Sequence, residues 1–363
     1  MRREVLVGLF DSFRRDKKGK GSASRATRKP ILEIPAEEDT STKKEKSPSI
    51  EEKKTEVVEN KERQEIETKQ EESSASSQAE DSLNTSHEET EEKPHLKTYD
   101  EKAPVTHVVG ETKIIAIINQ KGGVGKSTTA INLSAALGEM NKQVLLVDLD
   151  PQGNTTSGLG IEKNQVENCI YDVLLNDMPI TDVIIPDVFQ GLDVVPATIN
   201  LAGAEVELVN EMARENRLKD SVGSLRGRYD YIFIDCPPSL GLLTVNALVA
   251  ADQLLIPIQC EFYALEGVTK LLDSMKRVKS RLNPSLEIFG VLLTMYDGRT
   301  TLARQVVDEV RNYFGNKVFD VMIPRTVKLS EAPSYGLPIT QYDPNGKGAQ
   351  SYIKLAKEVI QRG

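Results

Sequence analysis

Cysteine is scarce in these 363 residues: Cys169, Cys236 and Cys260 stand far apart and form no C-x-x-C pair. That spacing argues against a disulfide framework or a zinc site and leaves three reduced, semi-buried thiols as the expectation. Long apolar runs are lacking too. No stretch approaches the roughly 18 apolar residues needed to span a bilayer, and the first residues hold no long apolar core with a small-residue cleavage site. The expectation is a cytoplasmic protein, neither integral nor secreted. Nor is there an excess of positive charge, because the formal net charge is -9. Bulk electrostatics would not attract nucleic acid, so any DNA-binding face must be local.

What is present is unevenly spread. Hydrophobic residues make up 39% and charged residues 28% of the chain, yet residues 1 to about 110 hold almost no sustained apolar pattern and are dominated by Glu, Lys, Ser and Thr. Such a segment cannot bury enough apolar surface to offset the entropy of ordering it. The expected organisation is a basic tip over 1–30, an acidic, low-complexity and disordered linker over 31–110, and one domain over 111–363. In the tip, Leu6, Leu9, Phe10 and Phe13 fall at helical spacing beside Arg14, Arg15, Lys17 and Lys18, a pattern that suits a peripheral contact with a membrane or a polar protein. An unpatterned start carrying a few apolar residues stays open as the alternative.

From Lys113 onward, apolar strands alternate with amphipathic helices. Strands are predicted at Ile114–Ile118, Val144–Asp148, Leu192–Val195, Tyr231–Asp235, Gln253–Ile258, Ile288–Met295 and Val318–Ile323. Helices are predicted at Ser127–Met140, Ala204–Asn216, Leu242–Ala250, Leu265–Arg281, Leu302–Phe314 and Ala349–Gln361. This alternation implies an α/β fold, a mainly parallel sheet covered on both faces, with ligands at the carboxyl ends of its strands.

Between the first strand and first helix lies Gln120-Lys121-Gly122-Gly123-Val124-Gly125-Lys126-Ser127-Thr128-Thr129. A glycine-rich turn here lets successive backbone N–H groups converge on phosphate oxygens, with the helix N-terminus and Lys126 adding positive charge. Ser127 is placed to hold Mg²⁺ through its hydroxyl. The ordinary G-x-x-x-x-G-K-[ST] pattern asks for glycine at 120, where this chain has glutamine, and there is an additional lysine at 121, so the P-loop is a deviant one. Chance matching of K-G-G-x-G-K-[ST] in a chain of this length falls below about one in ten thousand at average composition.

A P-loop needs carboxylates at the same sheet edge. One predicted strand ends in Asp148-Leu149-Asp150-Pro151-Gln152-Gly153-Asn154, another in Asp235-Cys236-Pro237-Pro238. Asp235, after four largely apolar residues, has the form of a Walker B acid that orients Mg²⁺ through water. Asp150 lies in a loop suited to positioning the attacking water, although ordinary turn chemistry also accounts for Asp148 and Asp150.

With these motifs in place, the chain resembles the deviant Walker P-loop ATPases of the ParA/Soj chromosome- and plasmid-partition family over residues 112–363. The resemblance adds two further blocks, Tyr263-Ala264-Leu265-Glu266-Gly267 and Ile323-Pro324-Arg325-Thr326-Val327-Lys328-Leu329-Ser330-Glu331-Ala332-Pro333-Ser334. It implies an ATP-sandwiched homodimer in which Lys121 reaches the partner's nucleotide, Lys126 binds phosphates in its own subunit, and Gly122 stays small to let the partner approach. Nucleotide contacts are implied for residues 121–128, that is Lys121, Gly122, Gly123, Val124, Gly125, Lys126, Ser127 and Thr128, with Pro324 lining the adenine. Non-specific double-stranded DNA is implied at Arg299, Arg325 and Lys328, and a ParB-like centromere-binding protein as the stimulating partner. Nucleoid association follows from the DNA contacts. Ser127 stands where threonine is commoner, Thr326 where asparagine is, and Lys328 where arginine is, so the adenine contact at 326 is unassigned.

Two other readings share the deviant P-loop. A MinD-like membrane-positioning ATPase is expected to end in an amphipathic anchor, whereas this sequence ends at Gln361-Arg362-Gly363. A DNA-bound regulator using ATP only to dimerise is separated from the partition reading by turnover.

Overall fold

The computed structural model describes residues 110–261 and 266–363. The basic tip, the linker and the Tyr263–Leu265 part of the motif at 263–267, with the predicted helix start at Leu265, lie outside the described residues.

Eight strands form one sheet: β1 Lys113–Ile117, β2 Val144–Asp148, β3 Ile185–Phe189, β4 Leu192–Val195, β5 Tyr231–Asp235, β6 Gln253–Gln259, β7 Glu287–Tyr296 and β8 Val318–Pro324. Their order is β3-β4-β2-β5-β1-β6-β7-β8. Every pairing is parallel except β3 with β4. The longer helices are α1 Lys126–Glu139, α2 Asn154–Gly158, α3 Ile170–Leu175, α4 Leu201–Glu207, α5 Arg217–Gly223, α6 Leu242–Ala250, α7 Glu266–Arg281, α8 Thr301–Phe314 and α9 Lys347–Arg362.

The central strands are apolar at nearly every position because both faces are covered. On β1, Ile114 and Ala116 join one core, shared with α3, α6 and α8, while Ile115 and Ile117 join the other, shared with α1 and α9. This is the period-two alternation of a strand serving two cores. Among the described residues no helix is long and apolar enough to cross a membrane.

Two expectations need correction. β3 was not among the predicted strands: Pro186 and Asp187 interrupt its apolar pattern, as suits an edge. Asp187 adopts a left-handed backbone, φ 51°, and its N–H donates to Asp193 Oδ1 at 2.9 Å. The single helix predicted over Ala204–Asn216 is broken. α4 ends at Glu207, a 3-10 turn follows at Leu208–Asn210, Ala213 is left-handed at φ 51°, and α5 begins at Arg217. A long-range capture by α6 explains the break: the Asn246 amide donates to the Arg214 carbonyl at 2.8 Å and accepts from Leu218 N–H at 3.2 Å.

Candidate nucleotide and cation sites

Four described segments converge at the carboxyl edge of the sheet. β1 runs into the glycine-rich turn, where Gly123 (φ 70°) and Gly125 (φ 90°) take left-handed conformations that other L-residues avoid. Gly125 hands the chain to α1, whose first residue is Lys126. Two side chains brace the turn from neighbouring strands. Asn119 donates to the Pro257 carbonyl on β6 at 2.7 Å and accepts from Lys121 N–H at 3.0 Å. Thr294 Oγ1 on β7 donates to the Val124 carbonyl at 2.8 Å.

Lys126 is only 7% exposed, and its charge favours ionised Asp235. Asp148 and Asp235 end adjacent strands in direct register, and both are fully buried. Burial raises the pKa of each; for Asp148 the Asp235 charge adds to the rise, and for Asp235 the Ser127 and Thr155 hydroxyls and Lys126 oppose it. Thr156 gives Asp148 Oδ2 two bonds, from its N–H at 2.8 Å and its hydroxyl at 2.7 Å. Thr155 Oγ1 donates to Asp235 Oδ2 at 2.7 Å. Asp235 Oδ1 is buried without a hydrogen-bond partner, as is the Gln120 side-chain amide nitrogen. Buried polar atoms are normally satisfied. A buried carboxylate with one oxygen unpaired, whose ionised form the Ser127 hydroxyl also favours, fits a hard cation bound through oxygen and water, as Mg²⁺ is.

Asp150 is also buried, at 6% exposure, in a turn where its Oδ1 accepts from Gln152 N–H at 3.0 Å and its carbonyl from Gly153 N–H at 2.8 Å. Turn chemistry and a place beside the cradle therefore coexist there. Lys121 is half-buried and Gly122 is exposed. A Cβ on Gly122 would meet nothing within 4 Å, and its φ is not positive, so the chain's own packing gives no reason for glycine. Ser127 and Thr128 are half-buried at the helix start.

Pro324 closes β8 opposite Tyr296 of β7. Arg299, Arg325 and Lys328 occupy loops and a short turn of helix just beyond these two strands. All three are exposed, and each has an acidic neighbour. Arg299 forms a two-pronged pair with Asp297, Nε to Oδ1 at 2.9 Å and Nη2 to Oδ2 at 2.7 Å, which pulls Asp297 down to about 2. Arg325 Nη2 reaches Glu261 Oε1 at 2.6 Å. Lys328 pairs with Glu331 at 3.0 Å and stands over the Tyr342 ring. Glu261 is shared, since Lys121 Nζ lies 3.9 Å from its Oε2.

Thr155, Thr156 and Glu261 were missed as site residues from sequence. The threonines read as turn residues after Gly153, and their partners lie up to 80 positions away. The three cysteines are free and fully buried rather than semi-buried, and burial pushes the Cys236 thiol well up and the Cys260 thiol up to about 12. No group of three or more His, Cys, Asp or Glu suited to a metal occurs among the described residues.

Comparison with known proteins agrees with this geometry. A family model described as an AAA domain matches residues 112–288. The sporulation initiation inhibitor protein Soj of Bacillus subtilis is 59% identical over 251 residues, covering 69% of this chain and 99% of that protein. The chromosome partitioning protein ParA of Myxococcus xanthus is 56% identical over 250 residues, covering 69% of this chain and 88% of that one. Among solved structures, cobyrinic acid a,c-diamide synthase from Mycobacterium smegmatis with bound ADP and magnesium superposes with a TM-score of 0.61 at 38% identity, covering 69% of this chain and 94% of that one. The buried lysine, the orphaned strand-end carboxylate and this extent of identity lead to one conclusion: the chain belongs to the Soj/ParA family of chromosome-partitioning P-loop proteins.

Proposed function

We propose that this protein is a DNA-segregation ATPase whose ATP-bound homodimer holds double-stranded DNA without sequence preference and lets go after hydrolysis. The reaction is cleavage of ATP to ADP and phosphate with Mg²⁺ as cofactor. The observation that carries the reading is the contrast between two lysines of one turn, Lys126 buried near Asp235 and Lys121 half-buried at the rim beside an exposed, unobstructed Gly122.

In this reading the backbone N–H groups of residues 122–127 and Lys126 bind the phosphates of the subunit's own nucleotide. Ser127 through its hydroxyl and Asp235 through water would hold magnesium, which would supply charge neutralisation at the phosphates. Asp150 orients the attacking water. Lys121 leaves Glu261 to meet the γ-phosphate bound by the second subunit, adding a cation where negative charge develops, as an arginine finger does. Gly122 leaves room for that subunit. Pro324 lines the adenine.

Arg299, Arg325 and Lys328 bind DNA phosphates, and such contacts position the protein without reading bases. A ParB-like partner accelerates hydrolysis, and loss of the γ-phosphate dissolves the contacts holding the dimer. The protein therefore sits on the nucleoid while ATP is bound. Residues 111–363 carry these activities, and residues 1–30 supply a separate contact with a membrane or a polar protein through the linker at 31–110.

The test is co-sedimentation of the full chain with non-specific duplex DNA and, in parallel, with anionic liposomes, each with ATP, ADP or no nucleotide. Salt-sensitive DNA binding that requires ATP and disappears in Arg299→Glu is the expected result. ATP-dependent liposome binding with no DNA binding would replace this reading with that of a membrane-positioning ATPase.

A further inference from the structure

A hydroxyl outside the phosphate cradle restrains the carboxylate inside it. Thr155 is wholly buried, and its Oγ1 donates to Asp235 Oδ2 at 2.7 Å. One carboxylate oxygen is thereby tied down, while the other, Oδ1, is buried with no hydrogen-bond partner. A free aspartate would rotate about its side-chain torsions, and the Thr155 bond selects one orientation.

Thr155 belongs to α2, five residues after Asp150, and its neighbour makes a matching contact. Thr156 holds Asp148 Oδ2 through both its N–H and its hydroxyl, and that hydroxyl accepts from Ala197 N–H at 2.9 Å. Two consecutive threonines therefore grip the acids that end two adjacent strands in register. The Asp150 loop cannot shift its exit into α2 without disturbing one or both acids.

We propose that Thr155 is a positioning residue for magnesium: its hydroxyl fixes the Asp235 carboxylate so that Oδ1 is presented at the metal position beside Ser127, and it ties that carboxylate to the Asp150 loop. This rests on Asp235 holding the metal, as assigned above. In this role Thr155 acts through Asp235, to which its hydroxyl is bonded. Partners of this kind typically govern metal affinity by about 10–100-fold.

The test uses the full chain and a fluorescent ATP analogue, with affinity measured across a Mg²⁺ titration and in EDTA. Thr155→Val should need about 10–100-fold more Mg²⁺ for half-maximal tightening, with affinity in EDTA unchanged, and Thr155→Ser should restore the wild-type midpoint. Thr155→Ala replaces the valine variant if a thermal melt in EDTA shows that the latter does not fold. A side chain needed only for packing would give the opposite pattern, normal valine and impaired serine, and would overturn the proposal. Asp235→Asn separates the two assignments. If it keeps the wild-type magnesium response, the Asp235 assignment fails. If it loses that response while the hydroxyl-free Thr155 variants keep the wild-type midpoint, the Thr155 proposal alone fails.

Discussion

The cradle and the cation edge beyond β7 and β8 handle charge in opposite ways. In the cradle, Lys126, Asp148 and Asp235 are buried, and the acids are fixed by hydroxyls from α2. At the edge, Arg299, Arg325 and Lys328 stand in water and each leans on a nearby acid. A buried charge is costly to leave without its partners, so the cradle is organised before its ligand arrives. Exposed pairs are weak and screened by salt, so their cations can exchange a carboxylate for a phosphate with little penalty. One region is built to be rigid around chemistry, the other to be released and recaptured.

The largest effect that would break this contrast is expected at Asp150. Asp150→Ala should lower turnover by about 10²–10⁴-fold, the usual contribution of a group acting on the proton or water, while ATP-dependent DNA binding persists. Steady-state phosphate release beside DNA co-sedimentation checks it; loss of both in a folded variant would remove Asp150 from its assigned role.

Next comes the pH dependence of the nucleotide-free protein in EDTA. Asp148 and Asp235 are raised chiefly by burial, so the folded state holds protons more tightly than the unfolded chain. The contribution of this pair to stability is then fully present in acid and is lost as pH rises from about 4, where a free aspartate ionises, through the higher range where the buried pair ionises. Each unit of elevation corresponds to about 1.4 kcal/mol. Denaturant melts at several pH values should show this slope, and Asp148→Asn should flatten it; a slope unchanged by the substitution would count against the buried pair as its source.

Smaller effects sharpen the other side of the comparison. Neutralising one phosphate-contacting cation, as in Arg299→Gln or Arg325→Gln, should reduce the slope of log affinity against log salt by about 0.9 in ATP-bound protein. An unchanged slope would show that the residue touches no phosphate. Smallest of all, Glu261→Gln should raise DNA binding without nucleotide by a few-fold, because Glu261 shields both Arg325 and Lys121. A filter-binding curve superimposable on wild type would show that this shielding is inconsequential.

Much of the cradle was legible because its information is local. The turn at 120–129 and the acids at 148, 150 and 235 follow from short spacings after apolar strands, and the strands themselves emerge from apolar runs bounded by charge. What sequence did not disclose depends on distant partners. β3 pairs at an edge despite Pro186 and Asp187, and the break before α5 is set by Asn246, far along the chain. Thr155 reads as a turn residue until the fold brings it to Asp235. Glu261, the acid masking Arg325, was visible as a residue but not as a partner, since the two are 64 positions apart.

The bond from Thr294 to the Val124 carbonyl makes one strand serve both regions. β7 props the phosphate turn from its interior and, five residues later, presents Arg299. The two regions are consequently inseparable parts for anyone grafting this nucleotide turn onto a relative: a chimera exchanging residues 119–127 alone would leave the turn resting on a foreign strand, and the exchange must carry residues 287–299 with it.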